Sequence, residues 1–130
     1  MKNVLSVVLA SLLALLLFSQ CKKDDNEIYN AGFYTSQETG KLFLYIDGSY
    51  VGDLPFFASA PSCEQNFNET ESPLYYQLRS GEYRITGKDE HGTVISDGYL
   101  KINKSTFGGP QITGGQIAQR SGNCVMVGLF

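Results

Sequence analysis

From residue 41 onward, the chain consists mainly of short apolar and aromatic runs separated by turn residues. In Tyr83-Arg84-Ile85-Thr86, apolar and polar residues alternate, which is typical of a half-buried strand and directs Tyr83 and Ile85 to the core. Asp47-Gly48 lies between two runs and predicts a hairpin turn. After Cys21, no window of ten or more residues has the helical period of 3.6 residues. The runs that predict strands are 42–46, 49–51, 74–78, 83–88, 93–96, 98–102 and 124–130.

Six or seven short strands with regular turns predict an all-β domain, either a small antiparallel β-sandwich or a partly open barrel. Residues 39–130 are the predicted domain. Within it, the almost wholly apolar run 124–130 predicts a strand that is covered on both faces. Residues 56–73 form a long insertion between strands, a kind of loop that is usually functional or fixed in place. The glycine-rich stretch 108–115 predicts a flexible loop.

The segment before the domain has a different pattern. Residues 4–18 are apolar except for two serines and follow a short start that contains Lys2. A membrane-spanning helix needs about 20 apolar residues, so this run is short for a permanent anchor and predicts a cleaved export signal over 1–20. Residues 21–38 are polar and charged, and they predict a flexible tether with at most a short edge strand at 33–35.

The end of the apolar run resembles the lipobox of bacterial lipoproteins. The matching residues are Leu17-Phe18-Ser19-Gln20-Cys21, although Gln20 stands where the family prefers a small residue. The resemblance implies that Cys21 receives a diacylglyceryl group through its sulfur and becomes the mature N-terminus. Two or more acyl chains then hold the protein stably at a membrane.

Lys22, Lys23, Asp24 and Asp25 follow the cysteine directly. They resemble the charged export tag of Bacteroidota surface lipoproteins, which implies placement on the outer face of the outer membrane. The alternative is a solvated spacer, since charge runs often have no other role. In that case, the expected location is the periplasmic face of the same membrane.

Composition limits the class of partner. Removing 20 of the 130 residues leaves 110, which is one domain. With Lys2 lost, nine Lys and Arg face thirteen Asp and Glu, for a net charge of −4. This balance argues against nucleic acid as a partner, because nucleic-acid-binding proteins carry a basic surface.

Cys63 and Cys124 are the two cysteines of the mature chain that have no assigned modification. An exported protein meets an oxidising compartment, which favours a disulfide between them. The alternative is two unpaired thiols. A metal site is not expected, because it needs more ligands at close spacing and His91 is the only histidine.

Two segments of the domain resemble PEGA-type domains. Residues 41–55 contain a strand, Asp-Gly, a return strand and a Gly-x-x-Pro ending, and residues 78–85 match the later Leu-x-x-Gly-x-Tyr step of that family. The insertion at 56–73 separates the two segments, and the Pro-Glu-Gly-Ala signature is absent. The resemblance implies a small antiparallel β-sandwich, immunoglobulin-like or PEGA-like, which serves as a surface module without catalytic residues.

The histidine and the acidic residues of the domain do not form a recognisable catalytic motif in the sequence. His91 lies in a predicted turn, and most acidic residues of the domain also lie in turns, where carboxylates bond locally to the backbone. Aromatic residues beside the insertion are the candidate ligand surface, and strand alternation predicts that one of Tyr75 and Tyr76 is buried. The four candidate residues are Phe56, Phe57, Tyr75 and Tyr76.

The sequence therefore predicts a non-enzymatic outer-membrane lipoprotein, held by acyl chains on Cys21, that presents a small β-sandwich to a protein or surface partner. It predicts no cofactor and no metal. The alternative is a glycan-binding accessory module of a surface nutrient-uptake system. A small hydrolase that uses paired carboxylates is the third hypothesis.

Overall fold

A computed structural model describes residues 27–38, 40–102 and 110–129. These residues contain nine strands in two sheets. One sheet has four strands in the order β4-β1-β9-β8, and the other has five in the order β3-β2-β5-β6-β7. No helix occurs in these residues, and the predicted all-β sandwich is confirmed. The strands are β1 Ile28–Thr35, β2 Leu42–Ile46, β3 Ser49–Leu54, β4 Leu74–Arg79, β5 Gly81–Asp89, β6 Val94–Ile102, β7 Gln111–Ile112, β8 Gly115–Ser121 and β9 Cys124–Leu129.

The core lies between the two sheets and is built by alternation along the strands. In β2, Leu42, Leu44 and Ile46 are buried while the residues between them are partly exposed. Ile85 is buried and Tyr83 packs against the core, as predicted. Burying a large apolar side chain contributes about 1.5–3 kcal/mol, so this interior is the main source of stability. The buried core residues are Tyr29, Ala31, Phe33, Leu42, Leu44, Ile46, Leu54, Leu78, Ile85, Leu100, Ile102, Val125, Val127 and Leu129.

The turn at Asp47-Gly48 joins β2 to β3, as predicted. Both residues have positive φ, 50° for Asp47 and 81° for Gly48, which is the geometry of the two-residue turn whose twist matches antiparallel strands. The Asp47 carboxylate also accepts a hydrogen bond from the backbone N–H of Arg84 at 2.8 Å. The hairpin is thereby attached to β5.

Strand β1 corrects the predicted tether. Residues 28–35 form a central strand, with β4 antiparallel on one side and β9 parallel on the other. Tyr29, Ala31 and Phe33 face the core, so the prediction of a tether through residue 38 is wrong for this stretch. Residues 1–26, which include the predicted signal and Cys21, lie outside the described residues.

Strand β9 is covered on both faces, as predicted. Val125 and Val127 point into the core, while Met126 on the opposite face is also fully buried. The covering on that side is close: a Cβ at Gly32 would lie 2.7 Å from the Met126 sulfur and 3.1 Å from the Tyr75 ring. Phe130 lies outside the described residues.

The loop predicted for 108–115 is partly wrong. Residues 111–112 form β7, and β8 begins at Gly115, while residues 108–109 are not described. Ile117 of β8 packs against the core. Thr113 anchors the segment by donating its backbone N–H to the Tyr99 carbonyl at 3.0 Å. Glycine reduces intrinsic strand preference, but pairing with β9 and core packing outweigh it here.

The insertion at 56–73 has no strand of its own beyond an isolated bridge at Phe56. The predicted disulfide is present: Cys63 in the insertion is bonded to Cys124 at the start of β9, with their Cα atoms 6.0 Å apart. The bond ties the insertion to the start of β9, a central strand of the four-stranded sheet that the insertion covers.

We expect the double variant Cys63→Ser/Cys124→Ser to lose roughly 4 kcal/mol of unfolding free energy, since the two residues are 61 apart in sequence and the bond restricts the unfolded chain. Urea denaturation of the oxidised wild type and the variant measures the difference. Dithiothreitol should lower the stability of the wild type and leave that of the variant unchanged. Equal stability of the two oxidised proteins would contradict the expectation.

Candidate functional site

The four aromatic residues predicted as a ligand surface do not lie on one face. Phe57 is half-buried, with its ring centroid 6.1 Å from that of Tyr34 and 6.0 Å from that of Phe67. Tyr75 contacts the same cluster through Phe67 at 6.5 Å. This aromatic cluster of Tyr34, Phe57, Phe67 and Tyr75 attaches the insertion to the outside of the four-stranded sheet, which is a structural role.

The prediction that one of Tyr75 and Tyr76 is buried is wrong. Both are close to half exposed, at 44% and 43%, because β4 is an edge strand. Tyr76 pairs with the core residue Ala31, so it is on the opposite face of β4 from Tyr75. Phe56 is 47% exposed.

A different surface combines exposed aromatic and charged side chains: the outward face of the five-stranded sheet, called the open face below. Strand alternation places its residues opposite the core positions of β2, β5 and β6. Tyr50 and Tyr99 on this surface are more than half exposed. The open face consists of Phe43, Tyr45, Tyr50, Arg84, Thr86, Lys88, Val94, Asp97 and Tyr99, with Lys41 and Asp53 at its margin.

The aromatic rings of the open face contact one another edge to face. Tyr50 lies 5.7 Å from Tyr45 and 6.1 Å from Phe43 between ring centroids. The amine of Lys88 is 4.4 Å from the centre of the Tyr45 ring, and that of Lys41 is 5.4 Å from the centre of the Phe43 ring. Cation–π contacts at exposed sites contribute only about 0.5–1 kcal/mol, so a ligand can displace either amine at small cost.

Arg84 and Asp97 form the most ordered polar pair of the open face. The guanidinium donates two hydrogen bonds to the carboxylate, at 3.0 and 2.9 Å, and Thr86 Oγ1 donates a third at 3.3 Å. The hydrogen bonds from Arg84 lower the pKa of Asp97, and those to Asp97 raise the pKa of Arg84. A paired, planar guanidinium is held in a fixed orientation, which suits directional recognition.

A second polar group lies at the margin of the open face. Asp53 accepts a hydrogen bond from the Tyr50 hydroxyl at 2.8 Å and forms an ion pair with Lys41 at 2.9 Å. The hydrogen bonds from Lys41 and then Tyr50 lower the pKa of Asp53. The exposed ring of Tyr50 is therefore oriented by its own hydroxyl.

The open face has a shallow depression of about 420 Å³ beside Arg84. Tyr45 and Val94 form its apolar walls, and Asp47, Arg84, Thr86 and Lys88 supply its polar groups. Mixed lining of this kind is typical of sites where apolar contact gives affinity and a few polar groups set orientation.

Other candidate residues have local structural contacts. Asp89 accepts backbone hydrogen bonds from His91 and Thr93 at 2.9 and 2.8 Å, and His91 is exposed in that turn. Within the described ranges, no three His, Cys, Asp or Glu residues are grouped so that they could hold a metal ion. The same ranges contain no helix with the length and apolar character needed to cross a membrane.

No protein-family model, curated protein or solved structure matches this chain. Sequence reasoning missed the open face, although alternation in 83–88 placed Arg84, Thr86 and Lys88 opposite the core residues Tyr83 and Ile85. The run 42–46 is apolar or aromatic at every position, so it gave no outward assignment for Phe43 and Tyr45. Alternation shows which residues point away from the core, but it does not show whether another part of the chain covers them.

Acid should weaken the fold through the Arg84–Asp97 pair. The pKa of Asp97 is lowered in the folded state from about 3.9 in the unfolded chain. Its contribution is therefore fully present above pH 4 and is lost as the pH falls through the lowered value. We expect Asp97→Asn and Arg84→Gln each to flatten the decline in unfolding free energy between pH 4 and pH 2. Urea melts across that range measure it, and slopes equal to that of the wild type would refute the assignment.

Proposed function

We propose that the protein is a lipid-anchored lipoprotein of the outer membrane that presents its β-sandwich at the cell surface to bind a partner, without catalysing a reaction. One observation carries the proposal: the run from Leu15 to Asp25, in which an apolar segment ends at Cys21 and a charged stretch follows. Two acyl chains on that cysteine would hold the protein stably at a bilayer, whereas one chain binds only marginally.

The fold supports this role in two ways. Strand β1 starts at Ile28, seven residues after Cys21, and a fully extended chain of that length spans at most about 25 Å. An anchor on Cys21 would thus keep the sandwich beside the membrane. The Cys63–Cys124 disulfide fits an exported protein, because disulfides persist in oxidising compartments.

The polar groups of the described residues support a binding role better than a catalytic one. Asp53 and Asp97 are engaged in ion pairs, and the Asp89 carboxylate closes a turn. A general base would instead need to converge with a nucleophile or water on a reacting atom.

A second candidate function, a glycan-binding accessory module of a surface nutrient-uptake system, is favoured by the open face. Half-buried Tyr45, whose ring contacts exposed Tyr50, lines the same depression as Arg84 and Thr86. Apolar stacking beside directional polar groups is the combination that a sugar ring requires.

We expect Cys21→Ala to abolish incorporation of labelled palmitate and to release the protein from the membrane fraction, because the thioether attachment is lost. Gln20→Ala changes the neighbouring residue, keeps the thiol and should leave labelling and fractionation unchanged. If wild-type protein takes up no labelled fatty acid, the anchoring proposal is wrong.

The charged residues after the cysteine have a separate test. Replacing Lys22, Lys23, Asp24 and Asp25 together with Ala should leave acylation intact but protect the domain from proteinase K in intact cells, with sensitivity returning once the outer membrane is opened. If this variant is cleaved in intact cells as readily as the wild type, these residues are only a spacer.

A further inference from the structure

Four residues of the open face form a single row across neighbouring strands. Tyr50 of β3 pairs with Tyr45 of β2, Tyr45 pairs with Thr86 of β5, and Thr86 pairs with Asp97 of β6. With strands about 4.8 Å apart, the row spans roughly 14 Å. It passes from aromatic rings at one end to hydrogen-bonding groups at the other.

The charges around this row are balanced. Lys41, Arg84 and Lys88 supply three positive charges, and Asp47, Asp53 and Asp97 supply three negative charges. A ligand of high net charge gains little from such a surface. Hydroxyl groups both donate and accept hydrogen bonds, so they find partners of either kind here.

The rings are accessible to a ligand with weakly polar C–H groups. An aromatic face carries partial negative charge, which attracts the Lys88 amine to the Tyr45 ring in the free protein. The same property attracts the polarised C–H bonds of a sugar ring. The flexible lysine stem allows the amine to leave the ring and bond to a hydroxyl.

From these observations we propose that the open face binds a neutral polysaccharide, with sugar rings stacked on Tyr45 and Tyr50 and hydroxyls bonded by Arg84, Lys88 and Asp47. The inference depends on the proposed surface-binding function and names the class of partner. A protein partner fits less well, since interface hot spots cluster in fully desolvated, well-packed pockets, whereas the centre of this face has an exposed ion pair.

Affinity electrophoresis of the full-length protein, solubilised in detergent, tests the proposal. Native gels containing amylopectin, xyloglucan, galactomannan, arabinogalactan or mixed-linkage β-glucan are compared with gels containing polygalacturonate, an acidic polymer. We expect at least one neutral polysaccharide to retard the protein. Tyr50→Ala should raise the concentration needed for half-maximal retardation at least fivefold, and Tyr45→Ala/Tyr50→Ala should abolish retardation.

Tyr76→Ala is the matched control, because Tyr76 is a tyrosine of similar exposure that lies on the other sheet. It should leave the retardation unchanged. Thermal melts of all variants verify that they are folded, which is expected because Tyr50 is 57% exposed.

Two outcomes would overturn the inference: no retardation by any neutral polysaccharide, whether or not polygalacturonate retards the protein, or equal retardation of the wild type and Tyr50→Ala. Cross-linking on intact cells of Lys88 to a protein partner, with no polysaccharide bound, would also overturn it while leaving the surface-binding function intact. Palmitate labelling of Cys21 in the same preparations is an independent readout, so failure of the anchor is distinguished from failure of the ligand.

Discussion

Burial of β1 and β9 on both faces is the constraint on which the rest of the structure depends. These two strands form the centre of the four-stranded sheet, and both sides of β9 are apolar. The five-stranded sheet covers one side, so the other side requires a second cover. The insertion at 56–73 supplies it through the aromatic cluster and the disulfide to Cys124. Without that cover, Met126 and Tyr34 would be exposed to solvent.

This constraint makes the two outer faces of the sandwich unequal. The outer face of the four-stranded sheet is occupied by the protein's own insertion, and its aromatic residues serve stability. The open face of the five-stranded sheet keeps aromatic residues at positions where packing does not require them, with Tyr50 and Tyr99 more than half exposed. Packing of the core therefore does not explain why aromatic residues lie exposed beside oriented charges on this face.

The sequence predicted those strands that are marked by a pattern within the strand or by an adjacent turn. The aromatic and aliphatic run identified 42–46, alternation identified 83–88, and Asp47-Gly48 identified the hairpin. The continuous apolar run at 124–130 correctly predicted a doubly covered strand. Strand β8 was missed, and β1 was predicted at most as a short edge strand at 33–35. Asn30, Gly32 and Gly115 weaken the strand signal, and the burial of these strands comes from partners distant in sequence. The aromatic residues beside the insertion were visible in the sequence, but which sheet face the insertion covers is a tertiary property. For that reason, the open face could not be identified from the sequence.

The pairing of β1 with β4 and β9 has a mechanical consequence if the protein is anchored at Cys21, as proposed. Tension on the segment before Ile28 would act along the axis of β1, whose hydrogen bonds to β4 and β9 lie across the pulling direction. Those bonds would share the load in shear rather than open one after another as in an unzipped hairpin. An anchor at Cys21 would thus pull on a strand that is hydrogen-bonded on both sides and resists extraction.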